Sequence, residues 1–227
     1  MHGAPFHSAS VLGLLLLSAS LWCSGPGNVA VAKEQVTEPA AGVFLVARRD
    51  MPDRRFARTV VLLMRYGARG ALGLIVNRPT RMSLPAAFPE IEGLQDSRQV
   101  MWFGGPVAVG QAGLLVDSQQ TPTQALTVMD TLHFSTSFEL LQSLLNASPD
   151  DHYRVYAGHA GWAPAQLDGE LARGDWHLRA ASVEQVLAAD TDALWKTLIG
   201  ASGTWVMSDG DWLPPAIPPP LPTPRAE

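Results

Sequence analysis

"VFLVARRDMPDRRFARTVVLLMRYGARGALGLIVN", residues Val43 to Asn77, contains three short apolar runs rich in β-branched residues. VFLVA, TVVLLMR and ALGLIVN each have strand length, and polar or glycine-bearing segments separate them. Their near-continuous apolar character predicts strands buried on both faces, as in a central sheet covered by helices. YGARG (Tyr66–Gly70), between the second and third runs, predicts a hairpin-type loop. RRDMPDRRFAR (Arg48–Arg58) alternates arginines with Asp50 and Asp53, the pattern of a solvated mixed-charge loop.

Further along, VMWFGG and GLLVD read as two more strands, with GGPVAVGQAG connecting them. STSFELLQSLLNAS (Ser135–Ser148) predicts a helix, with Thr136 and Glu139 at capping-box spacing and Ser135 and Ser137 as caps. YRVYAG reads as a strand. APAQLDGELARG follows as a helix from Pro164 to Arg173, with Gly174 just past its end. WHLRAAS is a strand, and Ser182 and Gln185 open VEQVLAADTDALWKTLIG, which Asp190 and Thr191 divide into two helices. Interleaved strands and helices predict an α/β fold: a single layered domain over residues 43–212, with a mixed β-sheet flanked by helices.

The composition allows this. Of 227 residues, 47% are hydrophobic and 16% charged, enough to bury a sizeable core in one domain with extensions. The net charge of -5 lacks the basic footprint of a phosphate-binding surface, so no direct nucleic-acid binding is expected.

Both ends differ from the centre. Ser10–Trp22 (SVLGLLLLSASLW) is an apolar run shorter than the ~20 residues of a bilayer-spanning helix. With Ala30-Val31-Ala32 as a small-residue cleavage site, residues 1–32 read as a signal peptide. The expected location is the periplasm, with no stable transmembrane segment. The segment before the run has no Lys or Arg, so a mis-assigned start and a cytoplasmic protein is the alternative. Cys23 is the only cysteine, and bulky Trp22 before it does not suit lipidation. Residues 33–42 read as a linker. Residues 213–227 (LPPAIPPPLPTPRAE) read as a disordered proline-rich tail, or as a docking ligand for a proline-reading domain.

Three clusters could carry function. In GHAGWAPAQLDGELARGDW (Gly158–Trp176), Gln166 and Glu170 lie four apart on one helix face, beside an apolar stripe of Leu167 and Leu171. Under a structural reading, Leu167 and Leu171 dock the helix, Trp162 staples its entry, and Gln166 and Glu170 tie down the preceding loop. Under a functional reading, Glu170 is a base and His159 or Gln166 orients a ligand. FGGPVAVGQAG (Phe103–Gly113) places Gly104 and Gly105 before a proline, which permits unusual backbone angles, but it matches neither a P-loop nor GxGxxG. GLIVNRPT (Gly73–Thr80) ends a strand in Asn77 and Arg78; Asn77 can close a turn, and Arg78 can meet an anionic ligand or an ion-pair partner. No HExxH and no GxSxG elbow is present, so no catalytic residue, metal site or cofactor is predicted.

Taken in order, GVFLVARRDMPDRRFARTVVLLMRYGARGALGLIVNRPT, FGGPV and GHAGWAPAQLDGELARGDW resemble the three signature blocks of the YqgE/AlgH family. The resemblance covers about Gly42 to Trp212. It implies a compact bacterial α/β domain for which no catalytic activity is established. A transcriptional-regulator label is often attached to the family, without a recognised DNA-binding motif. The family positions are Phe56, Gly70, Gly73, Asn77, Pro79, Gly104, Gly105, Pro106, Gly161, Trp162, Gln166, Leu167 and Glu170. The apolar N-terminal run and the proline tail are additions to the usual pattern, and relatives usually carry an aromatic residue where His159 stands.

The leading expectation is a non-enzymatic binding or regulatory domain of the cell envelope. Its ligand surface would comprise Asn77, Arg78, Gly104, Gly105, His159, Trp162, Gln166 and Glu170, facing a protein or small-molecule partner. A cytoplasmic transcriptional regulator and an unrecognised hydrolase or transferase using Glu170 and His159 are the alternatives.

Overall fold

The computed structural model describes residues 36–147, 153–188, 190–200, 206–208 and 211–213. The expected signal peptide, the start of the linker at residues 33–35 and the tail from residue 214 onward lie outside the described residues.

The three apolar runs form β1 (Val43–Ala47), β2 (Val60–Gly67) and β3 (Gly70–Ile75). They pair antiparallel, and Gly67 faces Gly70 across a two-residue hairpin turn. Five residues of β1 and the first five of β2 are buried. Because side chains alternate across a strand, Phe44 and Val46 enter one core while Leu45 and Ala47 enter another on the opposite face.

The remaining strands are β4 (Pro79–Ser83), β5 (Val100–Phe103), β6 (Val107–Asp117), β7 (Leu126–Met129), β8 (Leu132–Ser135), β9 (Tyr153–Trp162) and β10 (Trp176–Ala180). The sheet runs β10-β1-β2-β3-β9-β6-β8-β7, with β5 joined to β9 and β4 to β5. It is a mixed sheet, because β5 and β9 run parallel while its other pairs are antiparallel. Val206–Ser208 and Asp211–Leu213 form a separate antiparallel pair, β11 and β12.

Helices cover the sheet. These are α1 (Leu84–Ala87), α2 (Phe138–Ala147), α3 (Gln166–Ala172), α4 (Val183–Val186) and α5 (Thr191–Gly200). Val186, Leu194, Trp195, Leu198 and Ile199 close the core over Phe44, Val60 and Leu62. Leu167 of α3 closes the opposite core with Leu45, Val61 and Ile75. Burying a side chain of this size contributes about 1.5–3 kcal/mol. A third core joins Leu84 and Leu141 to Leu114, Tyr153 and Val155. The α/β architecture with a mixed sheet flanked by helices is therefore present.

Several local expectations need correction. GGPVAVGQAG is not a connector, since its residues from Val107 onward belong to the long strand β6. That strand bulges: between the pairs Val107↔His159 and Ala112↔Ala157, five residue steps on β6 oppose two on β9. The glycines and alanines there read as loop composition, but pairing with β9 holds them extended. Pro164 does not start α3; the chain turns through a left-handed Ala165, φ 60°, and the helix begins at Gln166. Of the residues expected at the start of α2, Ser137 is the cap, its Oγ accepting from Leu140 N at 3.2 Å, and Thr136 is not. Ser182 does cap α4, accepting from Gln185 N at 3.3 Å, and Asp190 accepts from Ala193 N at 3.2 Å ahead of α5.

β9 joins the two halves of the sheet. Along one edge it bonds β6; the other is shared by β5, at Trp102↔Tyr156, and β3, at Gly73↔Ala160. The chain leaving β5 fills the junction, where Gly104 N donates to Ala157 O at 2.9 Å and Ile75 N donates to Gly104 O at 2.8 Å. At Gly105, φ is 150°, and a Cβ would lie 2.2 Å from His159 C. The two-glycine signature is thus a backbone crossing that admits no side chain.

Candidate functional site

The site begins at the loop between β1 and β2. This segment carries five arginines against two aspartates and packs on the core only through Met51 and Phe56, so neighbouring groups must hold its backbone. Asn77, buried at the end of β3, does so from within. Its Oδ1 accepts from Val60 N at 2.8 Å and its Nδ2 donates to Arg58 O at 3.0 Å. Arg78 donates from Nη2 to Ala57 O at 2.9 Å and from Nη1 to Arg55 O. Four backbone groups of the loop are thus held by two adjacent side chains. Loss of both Asn77 bonds would leave the Val60 amide buried and unpaired. Asn77→Ala is expected to lower stability by about 2–3 kcal/mol. In hydrogen exchange the Val60 amide should lose protection, whereas amides in α2 should not change.

The loop presents Phe56 to two tryptophans. Trp162 ends β9 and Trp176 begins β10, with α3 between them. Phe56 stacks on Trp162 at 6.2 Å between ring centroids and meets Trp176 edge-on at 5.5 Å; the indoles are 6.1 Å apart. Such pairs contribute about 0.5–1.5 kcal/mol beyond area burial.

Glu170 organises this cluster. Its Oε2 accepts from Trp162 Nε1 and from Trp176 Nε1, each at 2.8 Å. Its Oε1 accepts from Gln166 Nε2 at 3.0 Å, and Gln166 Oε1 accepts from Ala163 N at 3.1 Å. One carboxylate thus fixes both indoles and, through Gln166, the turn that enters α3.

Beneath it, Asp175 accepts from Arg173 Nη2 at 2.8 Å, and Arg48 Nε lies 3.5 Å away at ion-pair distance. At the rim, Arg55 Nη2 donates to Asp53 at 2.7 Å. That side-chain hydrogen bond is the main cause holding the Asp53 carboxyl below its ordinary pKa, against a smaller opposing effect of burial.

Together these groups line a cleft of about 240 Å³. Its walls are Phe56, Trp162 and Trp176, with Met51, Pro52, Pro106 and Val107 as further apolar lining and the Asp53, Arg55, Gln166, Glu170, Arg173 and Asp175 side chains at its polar margin. Of the residues expected from sequence, Trp162, Gln166 and Glu170 line the cleft. Asn77 and Arg78 hold its loop from behind and spend their polar atoms on backbone carbonyls and an amide. Gly104 and Gly105 position Pro106. His159 pairs with Val107 across the strands and is not part of the lining. Sequence reasoning did not single out Met51, Asp53, Arg55, Arg173, Asp175 or Trp176 as site residues. A usable signal existed for Trp176: two tryptophans flank a short helix carrying one carboxylate.

Burial lowers the pKa of His159 and of His177; at His177 the charge of Arg179 adds a smaller push in the same direction. Both rings therefore bind protons more readily in the unfolded chain, where histidine titrates near about 6.5. Their effect on stability is absent above that value and becomes a penalty as pH falls below it toward the folded-state pKa values. The urea midpoint is expected to fall between about pH 7 and about pH 5. It should fall less in a His159→Gln, His177→Gln double variant, and equal slopes would refute the assignment.

Among the described residues, no group of three or more His, Cys, Asp or Glu side chains is placed to hold a metal ion. No described helix is long and apolar enough to cross a membrane.

An AlgH-like family model matches residues 44–206, which span the sheet, the cleft and the helices that cover them. The chain belongs to the AlgH-like family. A UPF0301 protein of Methylococcus capsulatus is 33% identical over 166 residues, covering 72% of this chain and 91% of its own. A UPF0301 protein of Paraburkholderia phymatum is 35% identical over 138 residues, covering 59% of this chain and 72% of its own. The solution structure of AlgH from Pseudomonas aeruginosa superposes with a TM-score of 0.58 at 26% identity, covering 69% of this chain and 85% of that one. The crystal structure of protein DIP2367 from Corynebacterium diphtheriae gives 0.58 at 26%, covering 73% and 87%. The AlgH-like match includes the signature positions Phe56, Asn77, Trp162, Gln166 and Glu170, and each of them builds the cleft or its supporting loop.

Proposed function

We propose that this AlgH-like domain is a non-enzymatic binding module of the cell envelope that recognises a partner through the Phe56–Trp162–Trp176 cleft. The observation that carries the reading is how the polar groups around the cleft are used. Glu170 accepts three N–H donors, Asp175 is engaged by Arg173, and Asp53 is engaged by Arg55. A general base needs an accessible acceptor aimed at substrate. Here the carboxylates hold rings and loops in place; Trp162 and Trp176 are buried, and the surface the cleft presents is the half-buried Phe56, Met51 and Pro106 with exposed Pro52 and Val107. Rigid aromatic anchors with a paired polar rim are what protein recognition uses. The envelope location is supported by the apolar Ser10–Trp22 run with Ala30-Val31-Ala32 after it. Fractionation with N-terminal sequencing of the mature chain tests that part.

Recognition is tested by photo-crosslinking in intact cells, with benzoylphenylalanine at exposed Arg55 and, as a control, at exposed Gln120. A discrete adduct from position 55 that is absent from position 120, and lost when Phe56→Ala is added, is the expected result. The reading fails if both positions give the same products, or if neither gives any.

A further inference from the structure

We infer that the cleft face docks an acidic segment of a partner protein, which seats an apolar side chain on Phe56, Met51 and Pro106 and pairs its carboxylates with arginines of the β1–β2 loop. This inference rests on the cleft being the recognition surface, and it names the chemistry of what is recognised.

The first argument is the shape and polarity of the surface. Phe56, Met51 and Pro106 are half-buried, and Pro52 and Val107 beside them are exposed. The β6 bulge that carries Val107 also leaves Val109 exposed. Exposed apolar surface of this kind marks interaction sites. The volume of about 240 Å³ lies below the ~300–1,000 Å³ of small-molecule sites, and it suits one or two side chains projecting from a peptide. The backbone around it is set in advance. Arg58 near the end of the loop, Ala108 in the bulge and Ala165 at the entry to α3 are left-handed, with φ of 58°, 51° and 60°. Residues other than glycine hold that conformation where the surrounding structure imposes it, and they cluster at ligand clamps.

The second argument is charge. The chain is acidic overall, with a net charge of -5, yet this one loop is basic. Both of its aspartates are engaged: Arg55 donates to Asp53 at 2.7 Å, and Arg48 lies 3.6 Å from Asp50. The other carboxylates of the cleft, Glu170 and Asp175, are taken by the indoles and by Arg173. Arg49, Arg54 and Arg58 are exposed, and among the described residues no ion pair engages them. The charge left for a ligand is therefore positive, and it flanks an apolar seat on an otherwise acidic molecule. Guanidinium groups hold carboxylates through paired N–H donors, and complementary charge steers encounter and fixes register. A long polyanion such as nucleic acid would also meet the acidic remainder of the surface, whereas a short acidic segment meets only the loop.

The test selects random dodecapeptides displayed on phage against the purified full chain, then measures the enriched peptides, synthesised with a fluorescent label, by anisotropy. The enriched sequences are expected to carry Asp and Glu around one or two apolar residues, to bind more weakly as salt rises, and to lose affinity for a Phe56→Ala chain. Reversing two exposed charges, Arg49→Glu with Arg54→Glu, should weaken binding roughly tenfold or more. Arg98→Glu with Lys196→Glu changes the net charge equally at exposed positions outside the cleft and its loop, and should weaken it less than about twofold. No enriched peptide, enriched peptides that are neutral or basic, or equal losses in the two charge-reversed chains would each overturn the inference. Binding to phosphatidylglycerol vesicles that needs Arg49 and Arg54 would assign the surface to lipid and overturn it too. If position 55 still captures a partner while the peptides are not acidic, only the charge inference is lost. If peptide binding ignores Phe56→Ala and position 55 captures nothing, the cleft reading goes with it.

Discussion

Gly105→Ala is expected to yield a chain that does not fold stably. The added Cβ would lie 2.2 Å from His159 C, 2.3 Å from His159 O and 2.4 Å from Ala160 N. All three are backbone atoms of β9, which is bonded to β3, β5 and β6 and cannot step aside without breaking one of those ladders. Residue 105 also has φ 150°, a region that costs a side-chain-bearing residue about 1–3 kcal/mol. Overpacking adds about 1–3 kcal/mol when side chains can yield, and more against fixed backbone. The sum approaches the whole stability of an ordinary domain, about 5–15 kcal/mol. Gly110→Ala is the control, since nothing lies within 4 Å of a Cβ there. Circular dichroism and urea titration of both variants decide the matter. If Gly105→Ala unfolds at the same urea concentration as Gly110→Ala, the crossing is not as tight as described.

The second large effect is expected at Glu170. Glu170→Ala removes the acceptor of two indole N–H groups and one amide N–H. Hydrogen bonds to a charged group contribute about 1.5–3 kcal/mol each, and buried donors left unpaired add their desolvation cost. Water reaches part of this site, so the loss is expected at about 3–5 kcal/mol and not the full sum of three bonds. Glu170→Gln separates the roles of the two oxygens. Its carbonyl can still accept from both indoles, whereas its new NH2 would meet the Gln166 amide donor, so about 1–2 kcal/mol should be lost. In the alanine variant the indole N–H resonances of Trp162 and Trp176 should both move in NMR spectra while that of Trp195, bonded to Ala47 O, stays in place. An alanine variant as stable as the parent would show that the rings hold themselves. If Glu170 were instead a catalytic base, the glutamine variant would lose a turnover with stability intact.

Much of the fold could be read from local sequence because strand formation here is governed by short-range pattern. The apolar residues of VFLVA, of Val60–Met64 and of Leu74–Val76 are all buried, so a local apolar pattern is enough to mark these strands. The strands that escaped notice are of the opposite kind. β4 (PTRMS) is largely exposed and reads as loop, and β7 and β8 are only four residues each. Their extended state comes from pairing with a neighbour, which no local window contains. The first half of β6 is a similar case, since VAVGQ is held extended by a bulged register against β9. Helix starts were misplaced by one or two residues at α2 and α3 because competing caps, Ser137 beside Thr136 and the turn at Ala165 after Pro164, differ only in tertiary context.

By itself, then, the amino-acid order determined the α/β class, the order of the principal strands and helices, and the segment from Gly158 to Trp176 as a signature. Hydrophobic periodicity and turn chemistry act over a few residues, so these features were written locally. Only the tertiary structure decided what Glu170 does. Its partners Trp162 and Trp176 lie at the ends of two different strands, and Phe56 arrives from a loop more than a hundred residues earlier. The same holds for Asn77 and Arg78, whose polar atoms turn inward to hold that loop. Whether a carboxylate or guanidinium faces a ligand or its own backbone depends on which distant groups the fold brings within about 3 Å, and no spacing along the chain encodes that distance.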